Sequence, residues 1–159
     1  MKLLFYCVVL LFIPLTIFGQ SPRFQNYPTI ERYVGRPVAP KLTPGTAAWN
    51  FRTRIREAAR DKPNFAGRYI LATWGCGAEC VSYAILDART GAVYCDDVTV
   101  CCFFNGEGAN LPADFEPVDF RLNSRLVVFT GLLNEQGANG PHYFKFERGR
   151  LLPVPRRSR

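Results

Sequence analysis

From Pro63 onward the chain repeats one pattern, and that pattern leaves few folds open. Short runs of apolar, β-branched and aromatic residues alternate with turn signals. "GRYILATW" reads as a buried strand. "WGCGAEC" separates it from "VSYAILD", and the turn "ARTG" leads back into "AVYCD". "VTVCCFF" follows a bend at Asp96-Asp97. "FEPVDFRL" and "RLVVFTGLL" flank a turn at Asn123-Ser124, and "HYFKFE" and "RLLPV" flank one at Arg148-Gly149. "NGEGANLPAD" and "NEQGANGP" read as glycine-rich surface loops. Connections this short join antiparallel neighbours. The expectation is a twisted antiparallel sheet of six or seven short strands, curled toward a barrel.

One segment has helical spacing. "TAAWNFRTRIREAAR" places Ala48, Phe51, Ile55, Ala58 and Ala59 on one face. Thr46, or Thr43 with Pro44, caps its start, and Lys62-Pro63 ends it. A single amphipathic helix packed on the sheet gives an α+β domain. Before it, prolines at 22, 28, 37, 40 and 44 dictate an extended arm. The apolar character of "NYPTIERYV" lays that arm against the domain. The expected organisation is a signal peptide over 1–19, an arm over 20–45, a domain over 46–155 and a basic tail over 156–159.

The first residues set the compartment. "MKLLFYCVVLLFIPLTIFGQ" has an early lysine, an apolar core interrupted by Pro14, and a small residue before Gln20. This is the pattern of a secretory signal peptide, too short and broken for a spanning helix. It predicts export to the periplasm or beyond, with no other membrane segment. The net charge is +7, carried by arginines clustered at 52–60 and 148–159. That balance permits contact with anionic envelope components or an acidic protein, and it equally fits a plain solvated surface. Nucleic acid is excluded as the default partner, because export removes it and aromatics do not interleave with the basic residues.

An oxidising compartment turns the cysteines toward disulfides. The glycines flanking Cys76 let the chain close Cys76 onto Cys80. Adjacent residues on a strand face opposite ways, which makes Cys102 a buried thiol and leaves Cys101 available to pair. A bend at Asp96-Asp97 would bring Cys95 to Cys101 as a second bridge. A redox role for Cys76 and Cys80 lacks the Cys-x-x-Cys spacing and the helix N-terminus it needs. A zinc site built from Cys76, Cys80, Cys95, Cys101 and His142 matches no finger spacing. The favoured reading of "WGCGAEC" is a structural staple at a strand-to-strand turn. The second is a stiffened binding loop that displays Trp74 and Glu79.

No catalytic motif stands out. His142, the only histidine, is a candidate binding residue, and would serve as a general base if Glu79 or Asp87 faced it. Asp87 sits where an acid caps the backbone of its own turn. No cofactor or metal is implied.

The segment from Phe65 to Tyr94, "FAGRYILATWGCGAECVSYAILDARTGAVY", resembles a family of small exported bacterial proteins. In that family a strand runs into Trp-Gly-Cys-Gly, a second cysteine follows, and an Asp-x-x-Thr-Gly hairpin comes next. "DFRLNSRLVVFTG" and "HYFKFERGRLLPV" are similar to its later hairpins. The resemblance implies export and a sheet-rich fold, and it implies no reaction. With no catalytic constellation but a stapled fold, two glycine-rich loops and a basic surface, the expected function is a non-enzymatic envelope binding module of the inhibitor or immunity type. A small envelope hydrolase using His142 with Glu79 or Asp87 is the alternative.

Overall fold

A computed structural model describes residues 21–96, 98–103, 112 and 114–155. The expected signal peptide, the basic tail and most of "NGEGANLPAD" lie outside the described residues. Two short helices, α1 (Ala47–Asn50) and α2 (Arg52–Ala58), precede an eight-stranded sheet. The strands are β1 (Tyr69–Gly77), β2 (Cys80–Asp87), β3 (Val93–Tyr94), β4 (Thr99–Cys101), β5 (Val118–Phe120), β6 (Leu126–Leu133), β7 (Gln136–Glu147) and β8 (Arg150–Pro153).

Every pairing is antiparallel, along the path β1-β2-β4-β6-β7-β8. β4 pairs with the start of β2 and the end of β6. Farther along, β3 lines β2 and β5 lines β6. The path is open, so the curl stops short of a barrel.

Aromatic side chains fill the inside of the curl. Phe146 of β7 packs 4.8 Å from Tyr69 of β1 and 5.5 Å from Tyr94 of β3, centroid to centroid. Phe65 meets Phe146 at 5.7 Å and Phe120 at 6.1 Å. Tyr83 of β2 and Phe129 of β6 stand 4.9 Å apart. These edge-on and tilted contacts suit the quadrupoles of the rings. Burial pushes the Tyr83 hydroxyl well above its ordinary pKa.

The outer face of β1 and β2 carries a second cluster. Ile70, Ala84, Leu86 and Ala88 meet Ile55 of α2, with Phe51 and Trp74 packed beside them. β1 and β2 are thus covered on both faces, which is why their sequences read as nearly unbroken apolar runs. Ala84, wholly buried, presents only a methyl beneath the helix layer.

Three expectations need correction. There are eight strands rather than six or seven, because the runs opposite β2 and β6 are each divided between two short strands. The helix is two pieces broken at Phe51, whose φ of −102° and ψ of 18° leave the helical basin while its ring packs toward Trp74. "NEQGANGP" is not a surface loop. Asn134 and Glu135, at φ 51° and 59°, form a two-residue turn, and β7 begins at Gln136.

The arm is bonded along its length. Arg125 N–H donates to the Tyr27 carbonyl, Thr29 N–H to Asn123, Tyr33 N–H to Gly67, Val38 N–H to Ala88 and Lys41 N–H to Gly91. At Gly67 and Gly91 a Cβ would overlap the Glu31 and Ala39 carbonyl oxygens respectively, so the arm's closeness requires glycine.

Candidate functional site

The "WGCGAEC" stretch is the tip of the β1–β2 hairpin. Gly75 pairs with Val81 and Gly77 with Cys80, so Cys76 is the extra residue of a bulge. Gly77 at φ 151° and Glu79 at φ 47° carry the chain round. The Cys76–Cys80 disulfide closes this turn, with Cα atoms 5.1 Å apart. The staple forms as the flanking glycines imply.

The candidate binding residues of that loop part company. Trp74 turns toward the helix layer, half-buried, with its ring 5.0 Å from Phe51. Its indole N–H is buried without an acceptor. Glu79 is exposed on the turn, and its carbonyl accepts from Cys102 N–H at 3.0 Å.

His142 lies in β7 opposite Phe129. Its Nε2 is 3.0 Å from both the Gly131 and Ala138 carbonyl oxygens. Two carbonyl acceptors make Nε2 the proton-bearing nitrogen. Asp87 is 2% exposed, and its Oδ1 accepts from Arg89 N–H and Thr90 N–H while Oδ2 pairs with Arg68 at 3.1 Å. No hydrogen bond or ion pair among the described residues joins His142 to Glu79 or Asp87.

Sequence reading missed the network around Arg68. Its guanidinium donates to both Glu31 carboxylate oxygens, at 2.7 and 2.8 Å, to the Tyr69 hydroxyl at 2.7 Å, and to Asp87. Burial alone would lower the Arg68 pKa. The Glu31 hydrogen bond and the nearby acidic groups reverse that, and the net shift is upward. Nothing in "AGRYI" marks this arginine out, because its acidic partners come from the arm and from the far end of β2.

The remaining cysteines depart from expectation. Cys95 is not joined to Cys101. It packs in the outer cluster, with its Sγ 3.8 Å from the Tyr83 carbonyl oxygen. Cys101 is buried and Cys102 half-buried, the reverse of the strand-alternation reading. The strand stops at Cys101, and Cys102 turns to φ 55°, which brings the two sulfurs to 2.9 Å. That hydrogen bond, with burial and the charges of Cys101, Glu135 and Glu79, pushes the Cys102 thiol up to about 11.

A second surface was also missed. Along the arm, which bends at Gly35, Ile30, Arg32, Val34, Arg36 and Val38 are all exposed. Ile30 is 103% exposed, Val34 86% and Val38 43%. Tyr33 turns inward and Glu31 reaches Arg68. Beside the stripe, Lys62, Pro63 and Leu122 complete a groove of about 520 Å3. The signal that could have found it is the alternation in "IERYVGRPV", where every second residue is aliphatic or arginine.

The described residues contain no cluster of three or more metal-binding side chains, and none of their helices is long and apolar enough to cross a membrane. No protein-family model, curated protein or solved structure matches the chain.

Proposed function

We propose that this chain is an exported, non-enzymatic binding module of the bacterial cell envelope that docks on an anionic phospholipid surface through its arm. The carrying observation is the exposed stripe Ile30, Arg32, Val34, Arg36 and Val38. Exposed aliphatic side chains are costly to leave in water and ready to enter an interfacial layer. The arginines between them match anionic headgroups, each contributing about 1 kcal/mol near such a surface. A bonded arm loses little freedom on docking. Export is supported by the apolar N-terminal segment and by the Cys76–Cys80 disulfide, which suits an oxidising compartment. The resemblance to small exported bacterial proteins points the same way.

The test is flotation of the exported protein with vesicles of phosphatidylglycerol and phosphatidylcholine, against phosphatidylcholine alone. Binding is expected only to the anionic vesicles, and it should weaken as salt shortens the screening length. The double variant Arg32→Gln/Arg36→Gln should bind about thirty-fold more weakly. Ile30→Ser/Val34→Ser should weaken binding while leaving its salt dependence intact. Equal binding to both vesicle types, or variants that bind like the parent, would sink the reading.

A further inference from the structure

β4 ends at Cys101, whose sulfur meets that of the following Cys102 at 2.9 Å. Neighbours on a strand point to opposite faces, so this contact requires the backbone to leave the strand between them. Cys102, at φ 55°, provides that departure. The conformation is uncommon for a residue with a side chain, and it is held from outside. Cys102 N–H donates to the Glu79 carbonyl at 3.0 Å, and Asn139 Nδ2 donates to the Cys102 carbonyl at 2.7 Å. Gly131 lies against the Cys101 carbonyl so closely that a Cβ there would overlap it. Asn134 fixes the other end of β4, accepting from Thr99 N–H at 2.8 Å and donating its own N–H to the Thr99 carbonyl at 3.0 Å. None of these contacts uses a sulfur. The surroundings therefore hold the two thiols together through the backbone alone.

We propose that Cys101 and Cys102 are a redox-active vicinal dithiol that closes to a disulfide by exchange with a small disulfide such as glutathione disulfide. Cys102 is the half-exposed sulfur that an oxidant reaches, and Cys101, 4% exposed, stands behind it. The Cys102 thiolate attacks one sulfur of the oxidant, forming a mixed disulfide and expelling one thiolate. The Cys101 thiolate then attacks Cys102 Sγ and expels the second. Two protons leave the cysteines and end on the two released thiols, and two electrons pass to the oxidant. Reduction by the same small thiol is the reverse. Cys80 faces Cys101 across the β2–β4 ladder and is bonded to Cys76, so exchange onto that disulfide would link the fragment carrying Cys101 to the fragment Tyr69–Arg89, a product that would overturn the proposal.

The test equilibrates the whole protein in glutathione buffers of stepped ratio. Samples are quenched in acid, alkylated in denaturant and digested with trypsin. The fragment Thr90–Arg121 carries Cys95, Cys101 and Cys102. Under reducing ratios it should carry an alkyl group on each. Under oxidising ratios it should carry one, on Cys95, and lack two hydrogens. In Cys102→Ser, a mild change at a half-exposed position, Cys101 should stay alkylated or carry glutathione at ratios that close the parent pair. Three alkyl groups on the parent at every ratio would overturn the proposal. So would a bridge from Cys95 to Cys101, or a parent fragment that stops at mixed glutathione disulfides.

Discussion

The Asp87 carboxylate lies 3.1 Å from the Arg68 guanidinium, the acid 2% exposed and the base 19%. Asp87 ends β2 and Arg68 immediately precedes β1, so the pair locks one end of the β1–β2 ladder. Arg68 then reaches Glu31 and ties the arm to that end. Asp87→Ala leaves a half-buried guanidinium without its most buried partner and strips two turn amides of their acceptor. The expected loss is about 3 kcal/mol, read as a lower urea midpoint at unchanged slope. Asp87→Asn keeps an oxygen for the turn amides and should lose less. An Ala variant as stable as the parent would show that the pair does not hold the hairpin.

Gly67 tests the arm from its other contact. Its φ is 78°, and a Cβ would overlap the Glu31 carbonyl oxygen. Gly67→Ala should therefore cost about 2 kcal/mol in backbone strain. It should also loosen the arm, seen as faster amide exchange at Tyr33, whose N–H donates to the Gly67 carbonyl. Unchanged exchange at Tyr33 would mean that the arm is held without this approach.

Ser124 joins residues about a hundred positions apart. Its buried hydroxyl donates toward the Phe24 and Tyr27 carbonyls, at 2.9 and 3.1 Å, and accepts from Leu126 N–H at 3.1 Å. Ser124→Ala removes little volume but strands these groups, for an expected loss of about 2 kcal/mol. Ser124→Thr keeps the hydroxyl and separates lost bonding from steric change. Equal stability of the Ala variant and the parent, by thermal unfolding, would refute the assignment.

Cys102 supplies a pH dependence. Its thiol is raised from the ordinary 9.0 to about 11, first by the Cys101 hydrogen bond. The folded protein thus holds this proton more tightly than the unfolded chain does. The resulting stabilisation is complete below pH 9 and is lost as pH rises through about 11. Because the thiolate is the nucleophile, iodoacetamide labelling of native Cys102 should keep climbing past pH 9 and level off only near 11. A plateau near 9 would mean that the Cys101 contact does not hold the proton.

Much of the sheet was legible because its signals are local. The turn at Arg148-Gly149 appears with φ of 51° and 78°, and the Cys76–Cys80 closure follows from glycines within the same seven residues. The break at Phe51 was not legible, since helical spacing is unaffected by it and only packing against Trp74 accompanies it. Nor was the tight turn at Asn134-Glu135, because "NEQGANGP" has loop composition even though most of it runs as strand.

The sequence by itself determined what depends on neighbours along the chain. Those features are the antiparallel hairpins, the staple at Cys76 and Cys80, and an arm too rich in proline to become a helix. Tertiary structure decided what depends on groups distant in sequence. Cys101 and Cys102 would face apart on any regular strand, and they meet because Glu79 and Asn139 hold the Cys102 backbone in a turn. The exposed stripe from Ile30 to Val38 is likewise settled by Gly67, Arg68 and Ala88, which hold the inner face of the arm. An extended chain alternates its side chains by geometry alone, but only a bonded neighbour determines which half faces the water.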